Sequence, residues 1–213
     1  RDSLERTLGE IYPDLDWGKK GLQNLVSKFG VDPRLQTEIS PTLPGVIYMG
    51  GELGHSLAFA IGTVLNNPKI SSFCIIGDGE FESGSIMPSL FCREFLSPKQ
   101  DGFLILAINL NQYKMGSRSL LSTWEDNKIE SFFSSFNMRT LFCEPSHNQG
   151  IKVFSSIARM YKDWINGANM KTPVIILKSQ KGTTGPTQID GKKFVGTHRS
   201  HKVDNLKHPT FEH

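Results

Sequence analysis

The sequence predicts one α/β domain over residues 1–213, with a mainly parallel sheet covered by helices on both faces. Three near-continuous apolar runs, residues 72–77, 103–110 and 173–177, have the length of strands. Segments with apolar residues at helical spacing lie between them. This alternation is typical of parallel sheets that are buried on both faces, and in such sheets a ligand binds at the carboxyl ends of the strands.

The elements follow one another along the chain without an internal repeat. Residues 1–30 are predicted as a helical lead-in that stops near Gly30, and residues 31–51 as an irregular segment rich in Pro and Gly. The remaining predictions are helices at 54–65, 85–96, 125–136 and 148–165, strands at 72–77, 103–110, 139–143 and 173–177, and a tail at 205–213.

Composition excludes several classes of protein. Of the 213 residues, 38% are hydrophobic and 21% are charged, so a disordered chain is not expected. No run approaches the ~20 apolar residues of a membrane span, and the first residues lack the pattern of a signal peptide. The three cysteines, Cys74, Cys92 and Cys143, fit no metal spacing. We therefore expect a cytoplasmic protein without membrane contact, and we interpret the cysteines as reduced core residues.

Positive charge is concentrated near the end of the chain. Residues 178–213 carry 7 basic and 3 acidic groups, whereas residues 1–177 carry 17 and 18. The basic residues are scattered between Gly, Pro and Thr rather than forming a block, and no nucleic-acid partner is predicted. A phosphorylated small molecule fits this distribution at least as well.

Two polar clusters follow neighbouring predicted strands. Gly77-Asp78-Gly79-Glu80 ends the first strong strand, and Asn111 comes 33 residues after Asp78, just past the next strand. Asp and Asn side chains at neighbouring strand ends can supply oxygen ligands to one hard divalent cation, with phosphate oxygens completing the shell. Asn109 is a competing candidate, but it lies inside the strand. Glu82, in the same turn as Asp78, is interpreted as a structural hydrogen-bond acceptor.

The spacing from GDG to Asn resembles the thiamine-diphosphate motif, and further segments resemble those of phosphoketolases. The resemblance covers roughly residues 10–205. In chain order, the matching segments are Gly50-Gly51-Glu52-Leu53-Gly54, Gly77-Asp78-Gly79-Glu80, Asn111-x-Tyr113-Lys114, Lys181-Gly182-x-Thr184-Gly185-Pro186, Asp190-Gly191-Lys192-Lys193 and Gly196-Thr197-x-Arg199-Ser200-His201.

The resemblance implies the diphosphate-binding type of thiamine-diphosphate fold and a set of site residues. Asp78, Asn111 and the Tyr113 carbonyl would bind Mg²⁺. Lys181 and His201 would reach the substrate or the diphosphate. The residues expected around the cofactor are Gly51, Glu52 and Leu53 on one side and Gly77, Gly79 and Glu80 around the diphosphate.

The resemblance also implies a reaction. A phosphoketolase cleaves a ketose phosphate, keeps a two-carbon adduct on the cofactor and releases it as acetyl phosphate. Transfer of the two-carbon unit to another acceptor, as in transketolase, is one alternative. A catalytically inactive homologue that binds the cofactor and regulates a partner is another. A nucleotide-binding domain with a fortuitous GDG is a third, although the chain lacks GxGxxG and GxxxxGK[ST].

Two departures from the family pattern concern the chemistry. Where the family carries a catalytic His before the Pro-Gly loop, this chain has Glu38, or Ser40 in a shifted register. Glu38 could donate protons there only with a raised pKa. The chain is also several times shorter than a phosphoketolase and lacks the pyrimidine-binding domain. The resemblance therefore implies a second chain that supplies that domain, and dimerisation through the cofactor face is a further expectation.

Overall fold

The computed structural model describes residues 12, 19–28, 30–35, 39–183 and 185–201, and the chain divides into two compact units, residues 1–52 and 53–213. The first unit contains helix α1 (Lys19–Lys28) and a series of turns. In these turns Arg34 pairs with Asp32 at 2.6 Å, which lowers the pKa of the Asp32 carboxyl to about 2. Leu35 and Leu43 form a small core with Tyr12 and Val46 packed against it.

The second unit contains the sheet. Its elements are α2 (Ser56–Val64), β1 (Ser71–Gly77), α3 (Asp78–Phe81), α4 (Ile86–Arg93), β2 (Phe103–Leu110), a 3-10 helix (Leu121–Thr123), α5 (Asp126–Ser134), β3 (Met138–Cys143), α6 (His147–Ile165), β4 (Thr172–Lys178), β5 (Gln188–Ile189), β6 (Lys192–Lys193) and a 3-10 helix (His198–His201). The four long strands are those that the sequence predicts. The one-turn helix α3 and the β5–β6 hairpin are additions to the prediction.

The main sheet has the strand order β1-β2-β4-β3, and all its pairs are parallel. Gly77, at the end of β1, lies opposite Asn109, close to the end of β2. The carboxyl ends of these two strands therefore meet at the same edge of the sheet, together with Lys178 at the end of β4. The predicted fold class, an α/β protein with a mainly parallel sheet, is confirmed.

Helices lie on both faces of the sheet. Phe103 on β2 contacts Tyr161 and Trp164 of α6, with ring centroids 5.4 and 6.0 Å apart. Side chains alternate between faces along a strand, so the side chains of β1 at Cys74 and Ile76 point away from the face that carries Phe103. Both are buried, and α2 packs on β1 at that second face.

One face of the edge strand β1 is only partly covered. Phe73 is 47% exposed and Ile75 is 61% exposed, on the same face as Phe103. A parallel sheet normally has both faces covered, so two exposed apolar side chains on one face of its edge strand are unusual.

Asp101 joins three elements at the amino end of the sheet. Its carboxylate accepts hydrogen bonds from the Asn66 N–H and the Ser97 N–H, both at 2.7 Å. Its carbonyl accepts one from the indole N–H of Trp164 at 3.2 Å. Asp101 is 2% exposed, and its polar atoms are paired, so a buried charge is tolerated here.

Other predictions can be compared directly with the structure. Among the described residues, no helix has the length and apolar character required to cross a membrane. All three cysteines are free thiols, but the prediction of three core cysteines is wrong for Cys92, which is exposed on α4 while Cys74 and Cys143 are buried. The predicted single domain at 1–213, the lead-in at 1–30 and the tail at 205–213 stay predictions, and most of the lead-in and the whole tail lie outside the described residues.

Candidate cofactor and metal site

Asp78 stands at the tip of β1, where the strand passes into helix α3. It is 1% exposed, and its Oδ2 accepts hydrogen bonds from the Gln112 N–H at 2.8 Å and from Ser119 Oγ at 2.6 Å. Burial raises the pKa of the Asp78 carboxyl, whereas these hydrogen bonds, one from the Gly79 N–H and the charge of Lys181 act in the opposite direction. A buried carboxylate is thus held at the edge where a ligand is expected.

Asn111 and Tyr113 follow the end of β2. The Asn111 Oδ1 accepts a hydrogen bond from the Tyr113 N–H at 3.1 Å, which closes a tight turn around Gln112. Gln112 has φ +78°, a left-handed conformation that is uncommon for a residue other than Gly. The competing Asn109 remains within the sheet, where its Oδ1 accepts a hydrogen bond from Ser179 Oγ at 2.5 Å. Asn111 lies beyond the end of β2, and its choice over Asn109 as the residue that faces a ligand stays a prediction.

The segment after Asn111 forms a small hairpin, residues 112–119. The Ser119 N–H donates to the Gln112 carbonyl at 3.0 Å, the Lys114 N–H donates to the Ser117 carbonyl at 2.8 Å, and Tyr113 bridges to Arg118. Glu82 accepts a hydrogen bond from the Leu120 N–H and pairs with Lys114 Nζ at 2.5 Å. The predicted structural role of Glu82 is confirmed, because it fastens the hairpin to the segment that carries Asp78.

Lys181 reaches the same edge from the loop after β4. Its Nζ donates to the Tyr113 carbonyl and to the Lys114 carbonyl, both at 2.8 Å. Partial burial lowers the pKa of the Lys181 ammonium, and the charge of Asp78 opposes this shift. The structure therefore brings together four residues that the sequence selected: Asp78, Asn111, Tyr113 and Lys181.

Glu80 accepts two hydrogen bonds from the segment around the start of α2. Its Oε1 accepts hydrogen bonds from the Gly54 N–H at 3.2 Å and from Ser56 Oγ at 2.7 Å. These contacts tie the turn before α2 to the segment after β1. The expected contact of Glu80 with a diphosphate stays a prediction.

The other predicted site residues lie at the following places. Gly77 ends β1, and a Cβ on Gly79 would come within 3.0 Å of Lys114 Cγ. Gly51 and Glu52 are exposed at the end of the first unit, and Leu53, 49% exposed, begins the second. His201 is exposed at the end of the last 3-10 helix. Glu38 lies outside the described residues. The cofactor contacts and catalytic roles expected of all these residues stay predictions.

The donors at this edge fit a magnesium ion. A carboxylate, a side-chain amide oxygen and a backbone carbonyl are all hard oxygen ligands, which is the preference of Mg²⁺ when phosphate oxygens supply the rest. Within the described residues there is no group of three or more His, Cys, Asp and Glu side chains that could hold a metal ion. The three oxygen donors suit a cation that also takes ligands from a phosphorylated molecule.

Ser119 and Gln112 are site residues that the sequence analysis missed. Ser119 is fully buried and Gln112 contributes its backbone N–H, yet neither belongs to the GDG-to-Asn pattern. A serine in a polar loop carries no signal of burial by itself. The sequence points to these two residues only indirectly. A buried Asp at a strand end needs hydrogen-bond donors, and the loop after Asn111 is the nearest segment that can supply them.

The fold belongs to a known class of α/β proteins. The transketolase from Leishmania mexicana superposes with a TM-score of 0.54 over 83% of this chain and 26% of its own, at 15% sequence identity. At this identity the likeness concerns the fold alone.

The family is shown by sequence. A family model described as XFP N-terminal domain matches residues 2–210. Probable phosphoketolase 2 of Rhizobium meliloti is 32% identical over 96% of this chain and 28% of its own length. A probable phosphoketolase of Bradyrhizobium diazoefficiens is 34% identical over 94% of this chain and 27% of its own length. The chain belongs to the phosphoketolase N-terminal domain family, and it spans little more than a quarter of the length of these relatives.

Proposed function

We propose that this chain binds the diphosphate of thiamine diphosphate through Mg²⁺ and forms part of a phosphoketolase-type enzyme that acts on a ketose phosphate. The observation that carries the proposal is the hydrogen bond from the Gln112 N–H to Asp78 Oδ2 at 2.8 Å. It joins the tip of β1 to the residue between Asn111 and Tyr113, so the oxygen ligands expected for the cation come from two adjoining segments. Family membership gives this arrangement its chemical meaning.

Each residue has a specific task in this proposal. Asp78, the Asn111 side-chain oxygen and the Tyr113 carbonyl would hold Mg²⁺, and Lys181 would add a positive charge beside the diphosphate. His201 would move a proton near the substrate, since an imidazole can both accept and donate a proton. Thiamine diphosphate, when bound, supplies the nucleophilic carbon that allows the bond next to a ketose carbonyl to break.

The proposal includes a second domain or chain. This chain spans 28% of one relative and 27% of another, and the pyrimidine-binding part implied by the resemblance lies outside it. We therefore propose that a pyrimidine-binding domain, in another chain or in a longer form of this one, completes the active site. The three free thiols are compatible with a reducing compartment, so cytoplasmic location belongs to the same proposal.

Calorimetric titration of thiamine diphosphate with Mg²⁺ tests the binding part directly. We expect the wild-type chain to bind and Asp78→Asn to lose binding, because the amide removes the negative charge that the cation requires. Asp101→Asn is the matched control: both carboxylates are buried, at 1% and 2% exposure, but Asp101 lies at the opposite end of the sheet. Absence of wild-type binding, with or without the completing domain, would contradict the proposal.

The products distinguish the proposed reaction from transfer to another acceptor. With the completing domain present, a ketose phosphate and inorganic phosphate should yield acetyl phosphate, detected as its hydroxamate. A two-carbon unit found instead on an added aldose would indicate transketolase-like transfer. Cofactor binding without turnover of any ketose phosphate would indicate the inactive homologue.

A further inference from the structure

Ser119 is a fully buried hydroxyl whose hydrogen bond falls on the central carboxylate of the site. It lies 41 residues after Asp78 in sequence, has 0% exposure, and its Oγ donates to Asp78 Oδ2 at 2.6 Å. Hydrogen bonds to an ionised acceptor are shorter and stronger than those between neutral groups. The Ser119 hydroxyl therefore stabilises the ionised Asp78 carboxylate in addition to packing in the interior.

Two donors converge on the same oxygen of Asp78. Ser119 Oγ and the Gln112 N–H, at the two ends of the hairpin, both donate to Oδ2. Two fixed donors on one oxygen prevent the carboxylate from turning about its terminal torsion. The other oxygen, Oδ1, then has a defined direction relative to the end of β1.

Ser119 also fixes the turn that carries the other two oxygens proposed to bind the cation, those of Asn111 and Tyr113. Its N–H donates to the Gln112 carbonyl at 3.0 Å, while the Gln112 N–H donates to Asp78, so the three residues form a closed ring of hydrogen bonds. The ring holds Gln112 at φ +78°, between Asn111 and Tyr113. Through this ring, Ser119 fixes the position of Asp78 relative to the turn that carries Asn111 and Tyr113.

We infer that Ser119 is a positioning residue for the cation site, which orients the Asp78 carboxylate and holds the Asn111–Tyr113 turn against it. The inference rests on the proposed function and names a residue that acts on the cation only through Asp78 and Gln112. Residues that orient metal ligands typically change metal affinity by about 10- to 100-fold when they are replaced.

The experiment measures Mg²⁺ affinity by calorimetry at 10 °C, first with thiamine diphosphate and then with inorganic diphosphate as the second ligand. We expect Ser119→Ala to weaken Mg²⁺ binding by about 10- to 100-fold with either ligand. Ser119→Thr, which keeps the hydroxyl, should restore most of this affinity. Ser89→Ala is the matched control, since Ser89 is also buried but donates to the Ser85 carbonyl within α4 and its preceding turn.

The outcomes separate a positioning role from a purely structural one. Circular dichroism establishes that each variant is folded at the titration temperature, and Ser119→Cys, with a similar shape and a weaker donor, replaces Ser119→Ala if the latter does not fold. Wild-type affinity in the folded Ala or Cys variant would overturn the inference while leaving the proposed function intact. Absence of wild-type binding, both with and without the completing domain, would overturn both.

Discussion

At the scale of single residues, hydrogen-bond partners distinguish groups that are chemically alike. Asp78 and Asp101 are both buried carboxylates in the second unit, and both accept backbone N–H groups, but Asp78 also accepts a serine hydroxyl. Lys181 and Lys114 also differ, since Lys114 pairs with Glu82 and Lys181 donates to two backbone carbonyls. The hydroxyl donor thus distinguishes Asp78 from Asp101, and the carbonyl acceptors distinguish Lys181 from Lys114.

The three cysteines give a prediction at this scale. Cys74 is buried, and burial raises the pKa of its thiol to about 12, while Cys92 is exposed. Titration with an aromatic disulfide reagent at pH 8 should therefore show one fast thiol and two that react only after unfolding, because the thiolate is the reactive form. Cys92→Ser should abolish the fast phase, and a fast phase that survives this change would contradict the assignment.

The sign of the Cys74 shift also bears on stability. The folded protein favours the protonated thiol, so the contribution of this group to stability is complete below its ordinary pKa of 9.0. It is lost as the pH rises through about 12. In alkaline unfolding, the stability advantage of wild type over Cys74→Ala should consequently be largest below pH 9.0 and shrink as the pH rises to about 12.

At the scale of elements, the turn before α2 depends on a glycine. Gly54 has φ +93°, and a Cβ there would come within 2.7 Å of the Ser83 carbonyl oxygen. Its N–H is also one of the two donors to Glu80. The turn thus packs its backbone directly against the segment after β1, which is possible only without a side chain.

Gly54→Ala should destabilise the protein by about 1–3 kcal/mol or more, since a left-handed φ and a backbone clash coincide. Gly62→Ala is the matched control: Gly62 lies within α2, and its added Cβ would have no neighbour within 4 Å. There alanine should stabilise the helix by up to about 1 kcal/mol. Urea unfolding of the two variants measures both effects, and equal midpoints would contradict the packing argument.

The elements also show what sequence can predict. Strands β1, β2 and β4 are evident from their apolar runs, because a strand buried on both faces must be apolar throughout. The GDG-to-Asn spacing predicts that Asp78 and Asn111 lie close together, because each follows the end of a strand and the two strand ends meet at one edge of the sheet. Helix α3 and the hairpin around Ser119 were not predicted, because they are fixed by hydrogen bonds between segments distant in sequence rather than by a local pattern.

At the scale of the whole molecule, the described sheet is incomplete on one side. Phe73 and Ile75 are exposed on β1, and the chain covers little more than a quarter of its relatives. Contiguous exposed apolar surface of this kind is typical of contact regions. The second domain or chain in the proposed enzyme accords with such a surface.

The parallel sheet also separates two polar networks. Asp101 lies just before β2 and Asn111 just after it, and the eight residues of β2 span about 25 Å at ~3.3 Å per residue. Substitutions at sites this far apart, without shared partners, normally have independent effects. The decrease in unfolding free energy of the double variant Asp101→Asn/Ser119→Ala should therefore equal the sum of the two single decreases within about 0.5 kcal/mol.

Thermal unfolding of the four proteins measures this sum, and a larger discrepancy would show that the two networks are coupled through the sheet. If the sum holds, the two ends of the sheet can vary independently. Substitutions that stabilise the Asp101 network would then offset the unfavourable free energy of burying the Asp78 carboxylate at the other end. They would do so without changing the position of Asp78 relative to its ligand.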